Sequence, residues 1–241
     1  DEDDCQITKV NPPMDDGALL DTWLAILGGQ IVDVAATGQC SWLACYAALH
    51  NVAESMKAPT SEVVDNANEL KKQVLNGMIA NLADEAQLHP KEVMVEISAS
   101  GCQGDQTAPI QEQLCALANH YVAQRQKSVK TQVPLQYWVR SAHIKAMAMH
   151  ARETIYVLDV QTSGMARMQA YAYFDEHHQD EDIVETGSVQ AVATHEAIEL
   201  MQDLVGAGIL PPVMILRWQD TTNHFQAITY DNERYACYAN N

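Results

Sequence analysis

The sequence predicts an α+β fold, a small central β-sheet flanked by helices, and three stretches carry that expectation. "QIVDV", "AATGQC" and "SWLACYAAL" read in succession as strand, glycine loop, cysteine and helix. "IKAMAMHARETIYVLDV" reads as a helix running into a buried strand, and "PPVMILRW" and "HFQAITY" read as a closing pair of strands. With 241 residues, 47% of them hydrophobic, the chain is long enough for a full core and lies at the upper end of what one domain holds, so residues 1–241 are expected to form a single domain. No internal repeat, low-complexity segment or linker divides it.

Taken in order, "DDGALLDTWLAIL" places Leu19, Leu20, Trp23, Leu24 and Leu27 at helical spacing and stops at Gly28-Gly29. A short strand follows over 30–34, then a helix from Cys40 whose small face is Leu43, Ala44, Ala47 and Ala48. "APTSEVVDNANELKKQVLNGMIANLADEA" reads as a long helix capped by Thr60 or Ser61 and kinked or broken at Gly77, with Lys71-Lys72 on a solvated face. After the loop "SASGCQGDQTAP" comes a helix over about 110–126, then Pro134 and a helix carrying Trp138, His143 and Ala146 to Met149 that feeds a strand over 154–160. "MQAYAYF" alternates as a second strand, "EHHQDEDIVETGS" is an acidic exposed loop, and "THEAIELMQDLVGAG" is a capped helix closed by glycine. "QDTTN" is the turn between the two last strands.

Charge narrows the partners. A net charge of −18, with only 14 Lys and Arg, repels phosphate backbones and argues against nucleic acid, while it favours encounter with a basic protein surface. No run approaches the roughly eighteen apolar residues that span a bilayer, and "DEDDCQITKV" lacks the basic start and apolar stretch of a signal peptide, so no membrane role is expected. The start at Asp1 rather than Met is that of a processed product or an excised piece. Six scattered cysteines (Cys5, Cys40, Cys45, Cys102, Cys115, Cys237) form neither a disulfide framework nor a C-x-x-C pair, which points to a reducing compartment with reactive thiols and no metal site.

Cys40 stands where a glycine loop turns into a helix. The positive end of that helix is expected to lower its thiol pKa, and nearby amides to bind an oxyanion; Gly38 allows the tight turn, and the Gln39 and Cys40 amides face the developing charge. Cys45, one turn on, reads as core. A cysteine nucleophile needs a base, which need not be near in sequence. His177-His178 lie in the acidic loop, His89 precedes Pro90 in a turn, and His195 sits in a first helical turn. His120, His143 and His150 fall on helices in partly exposed structural roles. His224 differs: it opens an apolar strand directly after a polar turn. Strand alternation puts Gln226 on the same face, where its side-chain oxygen would accept the Nδ1 proton and orient the ring.

These segments resemble the OTU (ovarian tumour) cysteine protease family, most of whose members are deubiquitinases. Its nucleophile motif, Asp-Gly-Asn-Cys before a helix, is matched by "TGQCSWLACYAAL" at Gly38 and Cys40. Its tryptophan followed by a helix into a buried strand is matched by "YWVRSAHIKAMAMHARETIYVLDV", and its closing His-aromatic strand by "HFQAITY". The matched motifs run from Thr37 to Tyr230 in the family's chain order. Three positions depart: Thr37 for Asp, Gln39 for Asn, and Gln226 for Asn or Asp, with Asp220 and Asp33 as substitutes for the third member.

The resemblance implies a papain-like fold of OTU type and a catalytic set of Cys40, His224 and Gln226. It also implies an oxyanion loop at Thr37, Gly38 and Gln39, and Trp42 and Phe225 flanking the cleft. The implied activity is hydrolysis after the C-terminal glycine of ubiquitin or a ubiquitin-like modifier, without metal or organic cofactor, in a reducing cytoplasm that includes that of a host cell. Two alternatives stand beside it. One is another papain-like protease, Josephin-type or polyprotein-processing; the other is a ubiquitin- or protein-binding module without catalysis.

Overall fold

The computed structural model describes residues 17–102, 107–176, 186–207, 209–219 and 222–231. In chain order they form β1 (Ala18–Leu19), α1 (Leu20–Leu27), β2 (Gln30–Val32), α2 (Cys40–His50), α3 (Ser61–Ala80), α4 (Leu82–Leu88), α5 (Pro90–Ala99) and α6 (Ile110–Arg125). A single 3-10 turn (Leu135–Tyr137) precedes α7 (Ser141–Ala151), followed by β3 (Ile155–Val160), β4 (Met165–Glu176), β5 (Thr186–Val192), α8 (Thr194–Gly206), β6 (Val213–Gln219) and β7 (Thr222–Thr229). The sheet runs β1-β4-β3-β6-β7-β2, with β5 paired to the second half of β4. Among the described strands β3 and β6 pair in parallel and the others pair antiparallel.

Strand alternation sorts the core into two layers. Ile155, Val157, Met214, Phe225 and Ala227 face α2, α3, α6 and α7, whereas Tyr156, Leu158, Ile215 and Ile228 face α1 and α8. Both faces being covered explains why "TIYVLDV" and "PVMILR" read as continuous apolar runs rather than alternating ones.

Several expectations are corrected. The long helix does not break at Gly77, which sits in helix interior with open space around it; the break falls at Asn81, between α3 and α4. Pro90 does not mark a turn. It opens α5 at the first helical turn, where its missing N–H costs nothing, and His89 is the residue before it. Part of the segment read as an acidic loop is β5, while His177 and His178 lie outside the described residues. His143 is fully buried rather than partly exposed, with Nε2 on Gln124 Oε1 (3.1 Å) and Nδ1 accepting the Arg140 N–H (3.2 Å); burial pushes its pKa down to about 4. Lys71 leaves the solvated face assigned to it and is buried, at 1% exposure, whereas Lys72 stays outside in a pair with Glu69.

Candidate active site

The site is built where the N-terminus of α2 meets the first residues of β7. Cys40 is the first residue of α2, 5% exposed, and its Sγ accepts the backbone N–H of Phe225 at 3.4 Å. The sulfur therefore sits against the peptide unit joining His224 to Phe225, 185 residues away in sequence. The pKa expectation is reversed: burial pushes the Cys40 thiol above its ordinary value, with the N–H groups of Phe225, Ser41 and Cys40 itself opposing that rise. Cys45 is core, as its position on the small face of the helix suggests, and burial pushes it up to about 12.

His224 does not bond to Gln226. Its Nε2 meets Asp33 Oδ1 at 3.2 Å, and Gln226 Nε2 donates to the same oxygen at 3.1 Å. The pairing of Val32 with Ala227 explains this, because one step further along β2 places Asp33 opposite Gln226 and on the His224 face. Partial burial works to raise the Asp33 pKa, but hydrogen bonds from Lys57, Gln226 and His224 and the charge of Lys57, at 2.8 Å from Oδ2, hold the carboxyl well below the usual range. An ionised carboxylate only accepts, so His224 Nε2 carries the ring proton and Nδ1 is the basic nitrogen. The thiol and the imidazole make no hydrogen bond to each other; each is engaged by the partner just named. Gln226 in turn accepts from Arg217 Nε at 2.6 Å, across the Arg217–His224 strand pair. Asp220 lies outside the described residues.

The loop ahead of Cys40 is held from below by the segment 128–133. Gln39 is buried, and its Nε2 donates to the carbonyl oxygens of Ser128 (2.5 Å) and Thr131 (2.7 Å) while its Oε1 accepts from Lys71. Its side chain thus anchors the loop and does not face substrate. Thr37 accepts the Val133 N–H on its carbonyl, and its hydroxyl accepts weakly from the Gln39 N–H at 3.4 Å. Gly38 is required twice over. Its φ of +77° lies in the left-handed region, and a Cβ there would run into the Trp138 indole nitrogen and lie 2.9 Å from Val133 O. Gly38→Ala is expected to cost about 1–3 kcal/mol of stability. Gly101→Ala is the control, since its φ is +71° but a Cβ meets open space. Equal losses of melting temperature for the two would show that the indole contact is irrelevant.

The aromatic expectations are corrected as well. Trp42 is 0% exposed and packs edge-on against His143, with its ring centroid 6.0 Å away, and Phe225 is 3% exposed in the same core layer. Neither ring lines a cleft; Phe225 serves the site through its backbone. Sequence reasoning missed Lys57, Lys71 and Arg217. Lys57 and Arg217 carried no signal, whereas Lys71 did: it falls in the stripe Val64, Ala67, Lys71, Val74 at helical spacing.

Among the described residues no group of three His, Cys, Asp or Glu side chains is placed to hold a metal ion, Cys40, Cys45, Cys102 and Cys115 are unbridged, and no helix is long and apolar enough to cross a membrane.

No family model matches the chain, and no curated protein matches it. Solved structures similar to it include the viral OTU domain protease from Farallon virus, with 14% identity, 85% of each chain covered and a TM-score of 0.41. The OTU domain of OTUD1 is 13% identical over 88% of this chain and 91% of that one, with a TM-score of 0.38. An OTU deubiquitinase from Wolbachia pipientis wMel is 9% identical over 86% of this chain and 94% of that one, with a TM-score of 0.41. All three are OTU domain proteins.

Proposed function

We propose that the protein is a thiol hydrolase of the OTU type that cleaves the isopeptide or peptide bond after the C-terminal glycine of ubiquitin or a ubiquitin-like modifier. The observation that carries the reading is the convergence at one place of a helix-starting Cys40 and a His224 whose Nε2 is held by an ionised Asp33. The motif resemblance over 37–230 supports the substrate class, and the net charge of −18 suits a basic-rimmed partner.

In this reading Nδ1 of His224 takes the Cys40 proton and the thiolate attacks the glycine carbonyl. The resulting oxyanion is met by backbone N–H groups at the start of α2, and the imidazolium returns its proton to the leaving amine. Water, deprotonated by the same nitrogen, then releases the acyl group. Asp33 takes the orienting role assigned from sequence to Gln226, and Gln226 holds Asp33 in place. Such chemistry belongs in a reducing compartment, the cell's own or a host's.

The test is release of a fluorophore from the C-terminal amide of ubiquitin, followed by gels across ubiquitin chain types and ubiquitin-like conjugates. Cleavage by the wild type and none by Cys40→Ala supports the reading. No cleavage of any of these by wild-type protein that binds ubiquitin supports instead a binding module without catalysis, which the burial of Cys40 and the lack of a thiol–imidazole hydrogen bond favour. Cleavage of unrelated peptides alone points to another papain-like protease.

A further inference from the structure

Lys71 is a buried amine that the proposed chemistry does not use. Its Nζ donates to Gln39 Oε1 at 2.5 Å and to the Lys127 carbonyl at 2.6 Å, and it stands 6.0 Å from the Trp42 ring centroid. No carboxylate among the described residues forms an ion pair with it. The donor count discriminates between its two forms. An uncharged amine has two N–H groups for two carbonyl oxygens, whereas an ammonium adds a third donor and a charge at a position 1% exposed to solvent.

The groups around it supply no compensating charge. From the segment after α6 comes Lys127, a like charge set over the Tyr137 ring, and from α7 comes His143, kept neutral by burial. Burial first, and then the Lys127 charge, push the Lys71 pKa down to about 7.

We propose that Lys71 is a positioning residue of the nucleophile loop. Its amine fixes the Gln39 side chain, and so the backbone of 37–39 that leads into Cys40; gaining a proton puts a charge with no carboxylate partner beneath that loop. Its consequence for turnover rests on the function proposed above, but the linkage between Lys71 and the loop does not. An exposed lysine gives up its proton near 10.4, so between about pH 7 and that value the unfolded chain binds more protons at this position than the folded one. The contribution of Lys71 to stability therefore rises with pH across that window and is lowest below it.

Side-chain NMR of the lysine Nζ groups, with backbone amide shifts of Gly38, Gln39 and Cys40 followed from pH 5 to 9 in the wild type, tests the linkage. The expected result is a common midpoint near 7 for Lys71 and the three amides, lost from the amides in Lys71→Met. A Lys71 that is still an ammonium at pH 9, or amides that do not respond when it titrates, overturns the proposal, and the wild-type measurement decides this even if the variant does not fold.

A kinetic arm follows Cys40 labelling by a ubiquitin C-terminal electrophile. Lys71→Met is expected to label about tenfold more slowly at pH 8, because Gln39 Oε1 is left unsatisfied. A rate profile identical to the wild type's overturns the positioning role. Should the wild type not label at all, the catalytic reading fails while the resonances still decide the linkage.

Discussion

His224→Ala is expected to slow hydrolysis of a ubiquitin C-terminal amide about a thousandfold at neutral pH, through kcat rather than KM. The size of the loss follows from the state of the thiol. Burial raises the Cys40 pKa, so the resting sulfur carries its proton and a base must remove it in each turnover. A preformed thiolate would make the imidazole less important. The same reasoning fixes the pH dependence: in His224→Ala the thiolate fraction grows tenfold per pH unit below the thiol pKa, so the deficit against wild type shrinks as the pH is raised. A deficit that stays constant from pH 6 to 9 would mean that His224 does not act as the base.

Asp33→Ala is expected to cost about a hundredfold in kcat, and Gln226→Ala about tenfold. Asp33 bonds the ring nitrogen itself, whereas Gln226 reaches the ring only through Asp33. Because Lys57, Gln226 and His224 keep the carboxylate far below the usual range, Asp33 stays charged throughout the working pH range, and the acid limb of the activity profile belongs to other groups. For stability the direction is set by the same shift: the contribution of Asp33 is present above the ordinary aspartate pKa and is lost as the pH falls toward its folded value. Rates measured across the two variants decide between the assignments, since a larger loss for Gln226→Ala would restore Gln226 as the orienting group.

Cys40 was legible because it stands at a junction between elements, glycine loop into helix, where local pattern is strongest; His224 does not open its strand as the sequence suggested but is the third residue of β7, whose pairing with β6 already includes Thr222 and Asn223 of the expected turn. Which side chain meets the His224 ring was not legible, because choosing between Gln226 and Asp33 depends on the β2–β7 register, and pairing between residues nearly two hundred positions apart leaves no trace in either strand. The role of Gln39 was hidden for a related reason. Its partners at Ser128 and Thr131 lie in a segment without periodicity, so nothing local distinguishes a buried anchor from a loop amide. Lys71 was readable and misread. Its neighbour Lys72 suggested a charged face, but the period of α3 puts Lys71 in line with Val64, Ala67 and Val74 and turns Lys72 outward. For Trp42 and Phe225 the family resemblance suggested a cleft, yet both rings are buried in the same core layer.

Intact mass after incubation with a ubiquitin C-terminal electrophile, followed by peptide mapping, tests the pairing of Cys40 with His224 most directly. The arrangement predicts one adduct per chain, on Cys40, absent in Cys40→Ala and strongly slowed in His224→Ala. An adduct that persists in Cys40→Ala, or one that forms at the wild-type rate in His224→Ala, would contradict it.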